Sequence, residues 1–209
     1  MRAKAISILA LVFISFFFLG SLIRPDFYQS HDGEAHVARF AAYHEAYSDG
    51  QFPARWAGNL NQGFGSPVFI FYYPLPGTVA SLIHHLGISF ENSFKILIGA
   101  SFIFSAISFY IWLSISKGVR KDVAFVGALL YGLAPYHFLD IYVRGDVAEM
   151  MALAFAPLVF MFIEKLARKP TLTDMLFGAI TYALLILSHN ALSLMFSVII
   201  LFYMVLKHY

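Results

Sequence analysis

The amino-acid sequence predicts an all-α polytopic membrane protein. Of its 209 residues, 60% are apolar and only 12% are charged, about half the charged share of ordinary soluble domains. A soluble domain of this length cannot bury so much apolar surface, because surface area grows nearly as fast as volume. The apolar residues also form long uncharged runs that suit a hydrocarbon core of about 30 Å. These observations exclude a standard soluble enzyme and a disordered chain.

The first apolar run, Ala5–Ile23, contains 19 residues without a charge and follows Arg2 and Lys4. A cleaved signal peptide is the alternative, but its apolar region usually has about 7–15 residues and ends at a small-x-small site. The sequence Leu22-Ile23-Arg24-Pro25 is a poor cleavage site. We therefore predict a retained membrane helix over residues 5–23, with a cytoplasmic N-terminus.

Residues 24–66 form the longest polar segment, and we predict an outer loop there that contains an amphipathic helix. Asp32 or Ser30 is the expected cap, because either side-chain oxygen can accept free backbone N–H bonds. Asp49-Gly50 is the expected end. We expect the helix to lie along the membrane surface. One semi-apolar face recurs at helical spacing: Val37, Phe40, Ala41, His44 and Tyr47.

Residues 67–88 are predicted to form a re-entrant or broken hairpin, because Pro67, Pro74 and Pro76 lie too close together for a regular helix. The last two spans divide a 32-residue run that would be about 48 Å long as one helix, so we break it at Ser188-His189-Asn190. The predicted later spans are residues 94–116, 123–143, 147–163, 175–188 and 191–206.

Basic residues predict the sidedness of the chain, because cytoplasmic loops are enriched in Lys and Arg. With two basic clusters inside, nine of the 14 basic residues are cytoplasmic, and the outside holds five basic residues and nine acids. This arrangement requires residues 67–88 to return to the outer face. A simple span there would place both clusters outside. The clusters are Lys117, Arg120 and Lys121, and Lys165, Arg168 and Lys169.

The same topology gathers histidines and acids at the outer face. Ionisable groups near membrane depth are costly and usually mark a site. The alternative is that outer loops simply hold the polar residues of the chain. The seven outer histidines are His31, His36, His44, His84, His85, His137 and His189, and the acids that join them are Asp32, Glu34, Asp140, Asp146 and Glu149.

Asp32 and Glu34 are the candidate catalytic residues, between His31 and His36 at the start of the loop helix. Either acid can act as a general base if it reaches a substrate hydroxyl. Either can instead ligate a divalent cation through oxygen. The structural alternative is an acid pair placed favourably at the positive end of a helix. No metal ligand set and no cofactor is established by this pattern.

Several residues are candidates for binding a substrate or a lipid phosphate. Arg55 lies beside Trp56 in a turn rich in glycine and amides, where it can meet a phosphate or stack on a sugar. The alternative is a plain turn in which Trp56 is an interfacial anchor. Arg144 either neutralises neighbouring acids or binds a phosphate bidentately. His189-Asn190 either faces the outer cavity or makes an interhelical hydrogen bond. The candidates are His31, His36, Arg55, Arg144, Asp146, Glu149, His189 and Asn190.

An ordered series of motifs carries a resemblance over about residues 5–206. It resembles the bacterial multi-pass membrane proteins called "6-pyruvoyl-tetrahydropterin synthase related". The chain lacks the fold pattern of the soluble pterin synthase, and its histidines do not establish that enzyme's zinc site. The motifs are His31-Asp32-Gly33 with His36, Gly50 with Pro53-x-Arg55-Trp56, Asn59 with Gly63-x-Gly65-x-Pro67, Tyr72-x-Pro74-Leu75-Pro76, Leu133-Ala134-Pro135-Tyr136, Asp140-x-Tyr142-x-Arg144-Gly145, Glu149 and Ser188-His189-Asn190.

The layout also resembles the polytopic GT-C glycosyltransferases, which use lipid-phosphate-linked sugars. This resemblance implies a GT-C-like transmembrane helix bundle in the bacterial inner membrane. It places an essential acid of the first outer loop at Asp32, with Glu34 as its neighbour. The implied partners are membrane lipid and a polyprenyl-phosphate-linked sugar. Because such enzymes have more membrane helices, we expect residues 1–209 to be one transmembrane domain at the N-terminal end of a larger protein.

Two other functions remain open at this point. Helices broken by prolines are used in transporters, which favours a transporter or flippase component. A non-catalytic membrane subunit in cell-envelope polysaccharide assembly is the other alternative. A nucleic-acid partner is not expected, because the formal net charge is only +2.

Overall fold

A computed structural model describes residues 2–208 of the chain, and the side chains of residues 4–207; the Arg2 side chain counted above lies outside this part. The structure is 76% helical. No strand occurs among the described residues beyond a bridge between Ala57 and Ser66. Within the same range, four helical segments are long and apolar enough to cross a membrane. The predicted all-α polytopic membrane fold is therefore confirmed.

Helix α1 spans Arg2–Phe17 and is followed by a 3-10 turn at Gly20–Ile23. The regular helix thus ends before the predicted boundary at residue 23. Apolar composition shows where a helix suits lipid, but it does not fix the last hydrogen-bonded turn. Leu11 of α1 is fully buried in a cluster with Tyr110 and Ala124, which fixes α1 against the rest of the bundle.

Helix α2 spans Gly33–Ser48, as the loop pattern predicted, and ends before Asp49 and Gly50. Its buried face packs on the helices that follow it. The predicted side-chain cap is wrong. Asp32 occupies the capping position but makes no capping hydrogen bond, and the buried Ser30 hydroxyl has no partner within the described chain. The start of α2 is held by the backbone instead.

The proline-rich segment forms two short helices, α3 at Val68–Phe71 and α4 at Leu75–His84. The 10 residues of α4 extend about 15 Å, half of the hydrocarbon core, so neither helix forms a simple span. Gly77 permits the close packing of α4 on α2. A Cβ atom at Gly77 would lie 2.0 Å from the Tyr43 ring.

Helix α5 spans Phe90–Ile115 and begins four residues before the predicted boundary at 94. Its N-terminus is capped by Ser89, whose hydroxyl accepts the Asn92 N–H at 3.2 Å. This polar cap satisfies a free backbone donor, so the helix starts at the cap and not at the first apolar residue.

The span predicted over residues 123–143 falls within a candidate membrane span at Lys121–Arg144, but this stretch is not one continuous helix. Helix α6 spans Lys121–Gly132, and after a break the chain forms the short helix α7 at Pro135–Phe138 and a π-helical turn at Leu139–Arg144. Proline lacks an N–H and restricts the residue before it, which ends α6. From Lys121 to Arg144 the three pieces and the break after α6 together cover 24 residues, a stretch apolar enough to cross a membrane.

The last three helices are α8 at Val147–Arg168, α9 at Leu172–Ser188 and α10 at Asn190–His208. Helix α8 is the most buried of the candidate spans and extends five residues past the predicted boundary at 163. The chain leaves helical geometry at His189, within the predicted interruption.

Hydrogen bonds place both basic clusters at one end of the bundle. The Lys117 backbone N–H donates to the buried Glu164 carboxylate at 3.4 Å, and Arg168 donates to the Ile115 carbonyl and to Glu164. Lys207 is also paired with Glu164 at 2.7 Å. We call this the basic end of the bundle. The loop before α2 lies at the opposite end.

The main core lies between α2, α4, α5 and α8, and it supports that opposite end. Phe40 of α2, Phe94 and Phe102 of α5, Ile141 and Met150 are at most 1% exposed and belong to one cluster. This packing fixes the first turns of α2 and α8 relative to each other.

Candidate functional site

A cavity of about 320 Å³ lies at the end of the bundle opposite the basic end. The start of α2, the break between α3 and α4, the start of α8 and the break between α9 and α10 converge there. Its polar and aromatic lining residues are Asp32, His36, Arg39, Phe71, Tyr72, Tyr73, Asp146, His189 and Asn190.

Three lining residues follow one side of α2, beginning at its N-terminal capping position. Asp32, His36 and Arg39 are spaced by four and then three residues, which places their side chains above one another on a helix. The sequence predicted Asp32 and His36 but missed Arg39. The helical spacing from Asp32 and His36 is the sequence signal that could have identified Arg39.

Asp32 is held by its backbone and not by its side chain. Its N–H donates to the Arg144 carbonyl at 2.7 Å, and the N–H of His31 donates to the Val143 carbonyl at 3.0 Å. Within the described part of the chain, its half-buried carboxylate has no hydrogen-bond or ion-pair partner. Asp32 therefore presents a free proton acceptor to the cavity.

Arg144 lies behind the cavity and is fully engaged. Its guanidinium is 2.9 Å from Asp140 Oδ1, 3.3 Å from Asp146 Oδ2 and in direct contact with Glu149. It also donates to the Tyr136 hydroxyl at 2.9 Å. Of the two roles predicted for Arg144, these contacts favour the neutralisation of the surrounding acids.

Asp146 joins α8 to α2. Its carboxylate accepts the N–H groups of Ala148 and Glu149 at the start of α8, at 3.1 and 3.0 Å, and it lies 3.7 Å from His36 Nε2. Burial opposes the charged form, but the nearby His36 ring and the hydrogen bond from the Glu149 N–H outweigh it and lower the pKa of Asp146 to about 2. Asp146 therefore stays ionised at neutral pH.

His189 has a defined tautomer. Its Nδ1 accepts the Leu192 N–H at 3.1 Å, so in the neutral ring the proton is on Nε2, which lies 3.8 Å from Glu149 Oε1. Burial lowers the pKa of His189 despite the nearby carboxylates of Asp146 and Glu149. The neutral ring therefore points an N–H toward the acids.

Asp146, Glu149 and His189 carry ligand atoms that all lie within 4.8 Å of one another, a spacing that suits a metal ion. Their hydrogen bonds do not suit one. Nε2 of His189 bears the proton and has no lone pair for a metal while Nδ1 accepts the Leu192 N–H. Both carboxylates are also paired with Arg144. These three residues form a hydrogen-bonded network rather than a ready ligand set.

Five of the predicted site residues lie outside the cavity lining. Arg144 and Glu149 belong to the hydrogen-bonded network behind it. His31, Glu34 and Arg55 are exposed, and none of them lines the cavity. Their roles stay predictions.

The sequence also missed the aromatic wall of the cavity. Tyr72 accepts a hydrogen bond from Arg39 at 3.1 Å, and the Arg39 guanidinium carbon lies 4.0 Å from the centre of its ring. The Tyr73 ring centre is 4.8 Å from that of His189. Both tyrosines lie in the break before Pro74, so the prolines that interrupt the helix also position this wall.

One relative of this chain matches almost all of it. A protein of Lactococcus lactis subsp. cremoris (strain MG1363), described as an uncharacterized protein, is 25% identical over 203 residues. That match covers 94% of this chain but 33% of the relative, so the chain spans about a third of the relative's length. No solved structure matches.

The family model for the 6-pyruvoyl-tetrahydropterin synthase related domain, described as a membrane protein, matches residues 69–209. The match includes Tyr72, Tyr73, Asp146 and His189 of the cavity, whereas the α2 side of the cavity precedes it. Because the match covers more than half of the chain, this protein belongs to the 6-pyruvoyl-tetrahydropterin synthase related family of membrane proteins.

Proposed function

We propose that this chain is the catalytic membrane part of a glycosyltransferase that uses a polyprenyl-phosphate-linked sugar as donor. The observation that carries the proposal is the unpaired Asp32 carboxylate in a polar cavity at one end of the membrane helices. A membrane location suits a donor whose polyprenyl tail is confined to the bilayer.

The reaction needs one proton acceptor. The acceptor hydroxyl oxygen attacks C1 of the sugar, the bond between C1 and the phosphate oxygen breaks, and polyprenyl phosphate leaves with the electron pair. Asp32 takes the hydroxyl proton. Asp146 is a poor base, because its pKa is about 2, and Glu149 already accepts bonds from Arg144 and Tyr136.

The proposed site faces the outer leaflet of a bacterial inner membrane, and the N-terminus is cytoplasmic. Both basic clusters lie at the end of the bundle opposite the cavity, and Lys and Arg are enriched on the cytoplasmic side. An acceptor from the cell envelope would then reach the cavity from outside.

A transporter or flippase component is the second candidate. It is favoured by the two helix breaks beside the cavity, at Tyr72–Pro74 and at His189, because transporters use broken helices at their binding sites. A non-catalytic subunit of cell-envelope polysaccharide assembly is the third candidate.

The test is a transfer assay with the purified chain in proteoliposomes. A polyprenyl-phosphate sugar labelled in the sugar is supplied with candidate acceptors, and covalent product and vesicle flux are measured together. We expect labelled product and released polyprenyl phosphate. Flux without a covalent product would support the transporter instead. Empty vesicles are the control.

A further inference from the structure

We propose that Arg39 binds the phosphate of the ligand in this cavity, in place of the more conspicuous Arg144. This inference rests on the proposed function, because it assigns a binding group for the phosphate of the proposed donor. The ligand chemistry is a phosphate ester, which a polyprenyl phosphate or a soluble sugar phosphate can supply.

Most of the N–H donors of Arg39 are free to bind a ligand. It lines the cavity and is half-buried, yet no carboxylate of the described chain lies within ion-pair distance of it. It contacts Tyr72 through one hydrogen bond to the hydroxyl and one cation–π contact with the ring. A guanidinium has five N–H donors in a planar fork, so most of them remain available to a phosphate.

Arg144 has no such capacity. Its guanidinium contacts Asp140, Asp146 and Glu149, and it also donates to Tyr136. A phosphate at this position would have to displace these contacts and would lie beside three carboxylates. Like charges at such short range disfavour an anion, even where one arginine is present.

The geometry of α2 separates the two functions of the site. Asp32 and Arg39 are seven residues apart, a rise of about 10 Å along one face of the helix. A ligand with its phosphate at Arg39 can therefore extend toward Asp32 at its other end. The Tyr72 ring fixes the plane of the guanidinium from one side, which makes Tyr72 a positioning residue.

The test measures binding and does not require transfer. The 209-residue chain is placed in nanodiscs, and its affinity for undecaprenyl phosphate and for inorganic phosphate is compared with that for undecaprenol, which lacks the phosphate. We expect Arg39→Gln to weaken phosphate binding at least about tenfold, the loss of one charge-assisted hydrogen bond. Arg24→Gln, an exposed arginine outside this cavity, should bind like the wild type. If inorganic phosphate competes with undecaprenyl phosphate for the site, the phosphate ligand can come from a soluble compound. If it does not compete, the ligand is the lipid phosphate.

A second measurement uses the unaltered chain, in case Arg39→Gln does not fold. Phenylglyoxal modifies accessible arginines, and mass spectrometry reports each site. Undecaprenyl phosphate or inorganic phosphate should slow the modification of Arg39 but not that of Arg24. Equal modification of Arg39 with and without either phosphate, or equal affinity of the Arg39→Gln variant, would overturn the proposal. Phosphate binding that depends on Arg39 without any sugar transfer would support this inference and contradict the proposed function.

Discussion

The Asp32 carboxylate and the Arg39 guanidinium line the same cavity from one face of α2, and neither has an ion-pair partner within the described chain. About two helical turns separate them, so they do not neutralise each other. Arg144 is the opposite case, since three carboxylates surround it. The free charges of the site are therefore on α2, and the paired charges behind it hold the structure.

Cysteine accessibility tests the proposed sidedness. The chain has no cysteine, so single cysteines can be placed at exposed positions without background. We expect Asn59→Cys and Glu91→Cys to react with an impermeant maleimide in intact cells, because both lie in outer segments of the proposed topology. Ala167→Cys, beside Arg168 at the basic end, should react only after permeabilisation. Reaction of Glu91→Cys only from the inside would contradict this topology.

Loss of Arg144 should destabilise the fold. Arg144→Gln leaves Asp140, Asp146 and Glu149 without their shared cation, and all three are buried. Breaking a buried ion pair on one side costs roughly 3 kcal/mol of unfolding free energy. The measurement is thermal unfolding in detergent.

The exposed pair of Arg120 and Asp122 offers a matched control, and Arg120→Gln should leave the unfolding midpoint nearly unchanged. Adding Glu149→Gln to Arg144→Gln should restore part of the loss. A wild-type midpoint for Arg144→Gln would refute the structural role.

Gly145 permits the close approach of the π-helical turn to the loop before α2. Its φ is 68°, and a Cβ atom there would lie 2.3 Å from the Ser30 hydroxyl. Gly145→Ala should therefore lower the unfolding free energy by at least about 1 kcal/mol. Gly58→Ala is the control, because a Cβ atom at Gly58 would meet nothing within 4 Å. Equal unfolding midpoints for the two variants would contradict the close approach of Gly145 to the Ser30 hydroxyl.

A histidine cluster outside the cavity should make stability depend on pH. The His44 ring centre lies 4.7 Å from the ring centres of both His84 and His85. Burial, and then repulsion from these two histidines, lowers the pKa of His44. The unfolded chain therefore binds this proton more tightly than the folded chain does. The stability that neutral His44 contributes is fully present above its unfolded pKa of about 6.5 and is lost as the pH falls below that value.

The measurement is the unfolding midpoint between pH 8 and pH 5. The unfolding midpoint of His44→Gln should fall less than that of the wild type as the pH is lowered across this range. His31 is an exposed histidine outside the cluster, so the unfolding midpoint of His31→Gln should fall as much as that of the wild type. An identical pH profile for His44→Gln would rule out this contribution.

Hydropathy and helical spacing predicted the all-α membrane fold, the position of α2 and the interruption at His189. They predicted these features because lipid restricts apolar length and because turn residues end helices locally. The ends of α1 and the division after α6 were missed. Both depend on where backbone hydrogen bonds are satisfied, and the Pro135 break lies inside an otherwise apolar run.

The site was predicted in part for a related reason. Local pattern identified Asp32 and His36, because they lie at the start of a recognisable helix. It left the role of Arg144 open, because the turn at 139–144 brings three carboxylates around this side chain and local sequence pattern does not predict that turn. Tyr72 and Tyr73 reach the cavity only through the folding of the proline-rich segment onto α2, and no local spacing encodes that contact.

The most direct test of the central claim is the rate of sugar transfer by Asp32→Asn in proteoliposomes. Asparagine keeps the size of the side chain but cannot take up the hydroxyl proton, so we predict a loss of about a hundredfold or more with an unchanged unfolding midpoint. Glu45→Gln, an exposed acid on the same helix, should transfer at the wild-type rate. Undiminished transfer by a folded Asp32→Asn variant would contradict the role of Asp32 as the base.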